Sequence, residues 1–178
     1  MSEVAHARVA IIPGSFDPIT LGHMDMIRRA SRLFDEVVVA VLENTSKKPW
    51  FDAEARVMMV EHETADLSNV RCVRFSGLLV ELVEKEHARV VVRGVRGGSD
   101  LEYETVMARM NAHLRPGLDT IFLPSSPDLT HIASRLVREI ASLGGSVEGL
   151  VSPKVAAAVR RRADERRAES AAAAGGAE

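Results

Sequence analysis

Residues 14–23 read Gly-Ser-Phe-Asp-Pro-Ile-Thr-Leu-Gly-His, and the fold that we expect is built around this stretch. The apolar run at residues 9–12 predicts a buried strand before it, and residues 24–34 carry apolar side chains near helical spacing after it. The stretch therefore connects the end of a strand to the start of a helix. A helix start offers unpaired N–H groups and a partial positive charge, which favour phosphate. We expect an anion-binding loop here, with His23 beside the helix start.

The composition is that of a globular chain in a reducing compartment. Of the 178 residues, 46% are hydrophobic and 27% are charged, and the net charge of −2 gives no overall attraction to nucleic acid or to an anionic membrane. Aromatic residues make up only 4%, which leaves few platforms for stacked bases. The single cysteine, Cys72, excludes an internal disulfide and is interpreted as an inert thiol. Residues 1–8 lack the apolar core of a signal peptide, so we expect a cytoplasmic protein. The net charge and the few aromatic residues lead us to expect neither nucleic-acid nor membrane partners.

Strand-like and helix-like segments alternate along the chain. This alternation predicts an α/β fold: a Rossmann-like, doubly wound, five-stranded parallel sheet with helices on both faces, in a single domain. We place that domain at residues 1–162 and predict a disordered tail of Ala, Glu, Arg and Gly at 163–178. The strands are predicted at 9–12, 36–42, 70–75, 89–93 and 119–123, and the helices at 24–34, 52–64, 78–83, 100–113, 130–143 and from 153 onward.

Four polar loops follow predicted strands, at residues 14–23, 43–51, 93–99 and 124–130. Because the carboxyl ends of parallel strands meet at one edge of a sheet, we expect these loops to form one site. Cationic and hydroxyl groups suit phosphoryl or nucleotidyl transfer, in which the protein mainly positions reactants and stabilises negative charge. The spacings typical of a P-loop, a dinucleotide-binding loop or a zinc site are absent from the sequence. The polar groups expected at this edge are Ser15, His23, Lys47, Arg93, Arg96 and Ser134.

The first of these loops matches the T-x-G-H form of the nucleotidyltransferase signature, with GSFDP at 14–18 and TLGH at 20–23. Further segments follow at 46–49 (SKKP), 93–96 (RGVR) and 102–104 (EYE). In this order and spacing, residues 8–161 resemble the phosphopantetheine adenylyltransferase family. The resemblance implies transfer of the adenylyl group of ATP to the 4′-phosphate of phosphopantetheine, which gives dephospho-coenzyme A and pyrophosphate, with Mg²⁺ assisting.

The resemblance also implies roles for individual residues. Mg²⁺ is expected to be held mainly by the ATP phosphates, without a protein ligand set. Asp17 is interpreted as a turn residue that holds Pro18. The implied catalytic residues are His23, Lys47 and Arg96, and the implied acceptor-binding residues are Ser15, Lys47, Leu79 and Arg93. The implied ATP-binding residues are Ser15, Phe16, His23, Gly94, Val95, Arg96, Glu104, Leu129, Thr130, His131, Ile132, Ala133, Ser134 and Arg135.

Some questions stay open at this level. Ala133 and Arg135 stand where the family typically has serines, which leaves the contacts to the triphosphate undecided. The charge of His23 is also open, because a helix start favours the neutral ring and phosphates favour the cation. The resemblance implies a homohexamer and leaves feedback binding by coenzyme A open. Two alternatives remain: a related transferase for another phosphorylated acceptor, such as nicotinamide mononucleotide or glycerol 3-phosphate, and a nucleotide-binding regulatory module without catalysis.

Overall fold

The computed structural model describes residues 8–43 and 48–175, with side chains described up to residue 172. Strands and helices alternate as the sequence predicts. The strands are β1 (Val9–Gly14), β2 (Glu36–Leu42), β3 (Val70–Phe75), β4 (Val90–Val95) and β5 (Asp119–Pro124). The helices are α1 (Leu21–Ser31), α2 (Ala53–Glu63), α3 (Leu79–Lys85), α4 (Gly98–Leu114), α5 (Ser134–Ser142) and α6 (Pro153–Gly175), with a 3₁₀ turn at Pro127–Leu129.

The five strands form one parallel sheet in the order β3-β2-β1-β4-β5. The chain moves outward from β1 to β3, crosses back, and continues with β4 on the other side of β1. The predicted doubly wound fold is therefore confirmed. Along β1, six residue pairs join β2, from Val9↔Glu36 to Gly14↔Val41, whereas only Ala10↔Val90 and Ile11↔Val91 join β4. The neighbours β1 and β4 thus separate toward their carboxyl ends, at the point where the strand order reverses.

Alternate residues of β2 enter two different cores, because successive side chains of a strand point to opposite faces of the sheet. Val37, Val39 and Val41 join the larger cluster, whose members come from α1, α2, α5 and α6. Val38 and Ala40 join the smaller cluster, which contains residues of α3. Both faces of β2 are buried, which explains the unbroken apolar run of this strand.

The helix predicted at 130–143 begins later, at Ser134. A 3₁₀ turn at Pro127–Leu129 comes first, and the Thr130 hydroxyl donates a hydrogen bond to the Pro127 carbonyl at 3.0 Å. Ala133 is extended, with φ −139° and ψ 141°, so the α-helix starts after it. Local hydrogen bonding by a hydroxyl and the proline therefore delay the helix by about one turn.

The tail differs from the expectation, because α6 continues through residues 163–175, where the composition predicted disorder. Residues 176–178 lie outside the described part. Alanine, glutamate and arginine are strong helix formers, so the same composition also permits a helix. Ala163 is buried, and Arg167 donates to the Ala141 carbonyl at 2.9 Å. Contacts with the rest of the domain therefore extend past the boundary that we predicted at residue 162.

Cys72 lies half-buried on β3. Burial, with a smaller contribution from the Glu61 charge, raises the pKa of its thiol to about 12. The thiol therefore stays protonated near neutral pH and is a poor nucleophile, in agreement with the sequence interpretation. Within residues 8–43 and 48–175, none of the helices combines the length and the apolar character that a membrane crossing requires.

Candidate active site

A cavity of about 350 Å³ lies where β1 and β4 separate. Residues of the signature loop, of α1, of the β4–α4 segment and of the α5 start form its wall. Cations that are far apart in the sequence therefore share one cleft, as the positions of the loops predict. The predicted residues in the wall are Ser15, Phe16, His23, Arg93, Gly94, Arg96, Glu104, Ile132, Ala133, Ser134 and Arg135.

Other predicted residues lie away from this wall. Leu79 is the first residue of α3 and packs against the smaller core cluster. Val95 pairs with Pro124 at the end of the sheet. Residues 129–131 belong to the 3₁₀ turn or follow it and do not line the cavity, whereas the next residues, 132–135, do. Lys47, predicted to contact the acceptor, lies outside the described residues.

Phe16 shapes the signature loop. Its φ of 46° lies in the left-handed region, and its side chain is buried. The Phe16 ring meets the imidazole of His23 edge-on, with 5.0 Å between ring centroids. A Cβ atom on Gly14 would lie 2.9 Å from the Phe16 ring, so any larger residue there would displace it. Gly14 is thus required by the close approach of a ring that contacts His23.

Thr20 and His23 cap the start of α1 reciprocally. The Thr20 N–H donates to Nδ1 of His23 at 3.1 Å, and the His23 N–H donates to the Thr20 hydroxyl oxygen at 3.3 Å. In capping boxes a glutamate or glutamine usually takes the place that His23 has here. Because Nδ1 accepts a hydrogen bond from a backbone amide, the ring proton of the neutral imidazole sits on Nε2. The cap therefore fixes the tautomer.

The amides of α1 are less available to an anion than the sequence suggests. The Leu21 N–H donates to the Leu150 carbonyl at 3.0 Å, and the His23 N–H is taken by Thr20. The first turn therefore contributes mainly the imidazole of His23 and the Gly22 backbone, which both line the cavity.

His23 is neutral near pH 7. Burial lowers the pKa of its imidazole to about 4, and the nearby positive charges of Arg96 and then Arg93 act in the same direction. With the proton on Nε2, the ring is a partly buried, uncharged hydrogen-bond donor. For the protein alone, this answers the question of charge that the sequence left open.

Two arginines of the cavity form ion pairs with α4. Arg93 bonds both oxygens of Glu104, with N–O distances of 2.7 and 2.6 Å, and also donates to the Pro13 carbonyl. Arg96 bonds Asp100 at 2.8 Å and thereby lowers the pKa of that carboxyl. A phosphate that approaches either guanidinium has to compete with a carboxylate already there.

A third pair was missed by sequence reasoning. Arg29 donates to Asp25 at 3.2 Å and to the Pro124 carbonyl at 2.6 Å, while the Ser126 hydroxyl donates to Asp25 at 3.0 Å. The i,i+4 spacing of Asp25 and Arg29 was the available signal. This signal does not show which arginine pairs with Asp25, because Arg28 lies three residues after it and is also within helical reach. In the structure Arg28 bonds Asp66 instead.

The start of α5 borders the cavity without a side-chain cap. Ala133 caps it without a side-chain hydrogen bond, so the first amides of the helix lack the side-chain partner that Thr20 gives α1. The Ser134 hydroxyl, predicted to contact phosphate, donates to the Pro18 carbonyl at 2.8 Å. Arg135 has no carboxylate partner among the described residues. The exposed amides and Arg135 together suit an anion.

Asp17 does more than the turn role that we predicted. Its buried carboxylate accepts the N–H groups of Trp50 and Phe51, each at 3.0 Å. Arg138 of α5 lies 3.4 Å from the same carboxylate and donates to the Asp17 carbonyl. The signature loop is therefore joined to two distant segments of the chain.

In the described parts of the chain, no group of three or more His, Cys, Asp or Glu side chains is arranged to hold a metal ion. The three carboxylates of the cavity are each paired with an arginine.

Comparison with known proteins identifies the family. The model of the cytidylyltransferase-like family matches residues 11–140. The phosphopantetheine adenylyltransferase of Thioalkalivibrio sulfidiphilus is 47% identical over 152 residues, which are 85% of this chain and 96% of that protein. The chain belongs to the phosphopantetheine adenylyltransferase family. The family member from Nitrosospira multiformis is 51% identical over 147 residues, which are 83% of this chain and 89% of that protein.

A solved structure supports the fold of this family member. The crystal structure of a putative nicotinate-nucleotide adenylyltransferase from Vibrio parahaemolyticus matches it with a TM-score of 0.63. The match covers 84% of this chain and 90% of that chain, at 21% sequence identity. At this identity the likeness concerns the fold alone.

The depressed pKa of His23 predicts a specific dependence of stability on pH. The unfolded chain takes up the imidazole proton near pH 6.5 and the folded chain near pH 4, so the free energy of unfolding falls as the pH drops between these values. The loss attributable to His23 is about 3 kcal/mol at most. Urea denaturation between pH 7 and pH 4.5 measures it.

The matched variants are His23→Gln, whose amide preserves the capping box, and His62→Gln, which changes an exposed imidazole on α2. We expect His23→Gln to lose less stability on acidification than the wild type, and His62→Gln to follow the wild type. Identical pH profiles for all three proteins would contradict a neutral His23.

Proposed function

We propose that this chain transfers the adenylyl group of ATP to the 4′-phosphate of phosphopantetheine. An oxygen of the acceptor phosphate attacks the α-phosphorus of ATP, the bond to the leaving phosphate breaks, and dephospho-coenzyme A and pyrophosphate form. No enzyme nucleophile is needed, because the acceptor phosphate is itself one. The observation that carries the proposal is that His23, Arg93, Arg96 and the start of α5 line the same cavity. The chain that forms this cavity belongs to the phosphopantetheine adenylyltransferase family.

His23 is proposed to act on the transferred phosphoryl group. Its Nε2–H is a donor of fixed tautomer, since Thr20 occupies Nδ1. Burial lowers the local dielectric and strengthens a hydrogen bond to an oxygen on which charge builds up. The neutral ring suits this role, because donation requires the N–H and not a positive charge.

The two ends of the cavity are proposed to hold different substrates. Arg96, Arg135 and the uncapped amides of α5 suit the β- and γ-phosphates of ATP. Ser15 and Arg93 are proposed for the acceptor phosphate, with Lys47 as a further contact. Glu104 would then exchange its bond with Arg93 for substrate groups.

Mg²⁺ is proposed to enter with ATP as part of the substrate, where it neutralises phosphate charge. Coenzyme A shares the pantetheine arm of the acceptor, and we propose that it competes for the same cavity. The proposed location is the cytoplasm.

A pyrophosphate-release assay tests the activity. ATP or CTP is combined in turn with phosphopantetheine, nicotinamide mononucleotide or glycerol 3-phosphate. We expect pyrophosphate only with ATP and phosphopantetheine, and loss of release when EDTA removes Mg²⁺. Release with another acceptor would indicate the related transferase, and ATP binding in calorimetry without any product would indicate a regulatory module.

The His23→Ala variant tests the catalytic assignment. Removing one donor to the developing charge is expected to lower kcat by about 10²–10³-fold. Circular dichroism and thermal melting check that the variant is folded, and His62→Ala, at an exposed histidine of α2, serves as the matched control with near wild-type turnover. Turnover close to normal in a folded His23→Ala protein would refute the role of this residue.

The homo-oligomer implied by the family resemblance is proposed to use α4. None of the 17 residues of this helix is buried, although it carries exposed apolar side chains at helical spacing. A stripe of this kind indicates a covered face. The stripe comprises Tyr103, Val106, Met107, Met110 and Leu114.

The double variant Val106→Glu/Met110→Glu is expected to shift the protein to the monomer, because charges would be buried without partners in the interface. Sedimentation velocity measures the mass. Leu33→Glu, at an exposed leucine away from α4, is expected to keep the wild-type mass. A wild-type protein that sediments as a monomer would contradict the proposal.

A further inference from the structure

All four backbone polar groups of Trp50 and Phe51 are bonded to charged side chains. The two N–H groups donate to the carboxylate of Asp17, each at 3.0 Å. The Trp50 carbonyl accepts from Nε of Arg162 at 3.0 Å, and the Phe51 carbonyl accepts from Nε of Arg56 at 3.1 Å. These side chains come from the signature loop, from α6 and from α2. The position of this dipeptide is thus set by three separate elements.

The same side chains hold the signature loop. Arg56 is buried and also donates from Nη1 to the Ser15 carbonyl at 2.7 Å and to the Leu42 carbonyl at 3.1 Å. Asp17 directly follows Phe16, whose ring contacts His23. A displacement of the 50–51 dipeptide would therefore reach residues 15–17 through hydrogen bonds, and His23 through ring contact.

The contribution of α6 comes from its residues 162–169. Arg162 is oriented by Glu165 at 3.0 Å and by Glu169 at 3.2 Å, while its Nε donates to Trp50. The guanidinium of Arg166 lies over the Trp50 ring, 5.6 Å from its centroid. This segment follows residue 161, the last residue of the range 8–161 that resembles the family in sequence.

We propose that residues 162–169 of α6 position the signature loop of the cavity, with Arg162 as the positioning residue. Arg162 does not line the cavity and acts through Trp50, Phe51 and Asp17. The catalytic part of this inference rests on the proposed function. Small displacements of groups that orient reactants reduce rates strongly, by as much as about 10²-fold for 1 Å. A contact far from His23 therefore influences turnover.

The test compares Arg162→Met with Arg161→Met, in the full-length protein. Both variants lose one positive charge on the same helix, but Arg161 is exposed and makes no hydrogen bond or ion pair among the described residues. Two measurements need no substrate: amide hydrogen exchange at residues 15–17 and 50–51, and the fluorescence of Trp50, which is the single tryptophan of the chain. The third is the kcat/KM of adenylyl transfer, well below the melting temperature.

For Arg162→Met we expect exchange at residues 15–17 and 50–51 to accelerate about tenfold, as the loss of one charge-assisted hydrogen bond permits. The Trp50 emission shifts to longer wavelength, and kcat/KM falls about tenfold. Arg161→Met behaves as the wild type in all three measurements. If Arg162→Met does not fold, Arg162→Gln, which retains one amide donor, is measured in the same way with the same direction of effects.

Faster exchange at 50–51 alone, with exchange at 15–17 and kcat/KM within about twofold of wild type, would overturn the proposal and leave α6 a stabilising element only. Unchanged exchange at both segments would overturn it as well. A wild-type protein without adenylyl transfer would refute the proposed function instead, and the exchange at residues 15–17 would still decide whether α6 holds the loop.

Discussion

The short pairing between β1 and β4 determines where this protein has its cavity. β1 is bonded to β2 along six residues, but to β4 only through Ala10 and Ile11. Beyond these two pairs the strands diverge, and the loops and helix starts that follow them border the gap. In a parallel sheet whose order reverses, this is the place where a ligand finds both strand ends and helix termini. The position of the arginines follows from this divergence, because β4 delivers Arg93 and its following loop delivers Arg96 to the same rim.

His23 shows how packing sets the chemistry of the site. Its backbone amide and its Nδ1 atom are used by Thr20, and its ring is held by Phe16, which in turn requires a glycine at position 14. Burial and two neighbouring cations keep the ring uncharged. The signature residues are thus needed mainly to hold one imidazole in one orientation and one protonation state. The amides at the start of α1, which the sequence suggests as an anion site, mostly donate hydrogen bonds to other groups of the protein.

The sequence predicted the elements, the sheet and the meeting of the polar loops, because apolar periodicity and loop position depend on local pattern. It failed where a residue acts through a distant partner. Asp17 bonds a dipeptide more than 30 positions away, and Arg162 bonds Trp50 at a separation of 112 residues, so neither role has a local signal. The alanine-rich end of α6 has a composition that suits both disorder and helix, and tertiary contacts decide between them. The choice of Arg29 over Arg28 depended on the orientation of α1 relative to β5.

The Arg93–Glu104 pair has a thermodynamic consequence for how two molecules occupy one cavity. Whichever ligand first draws Arg93 toward its phosphate leaves the Glu104 carboxylate without its cation. That carboxylate is then a strong acceptor for an N–H or O–H group of the other ligand. For the two substrates proposed above, the energy spent in separating the pair would be offset most fully with both bound, which would couple the two binding equilibria with positive cooperativity.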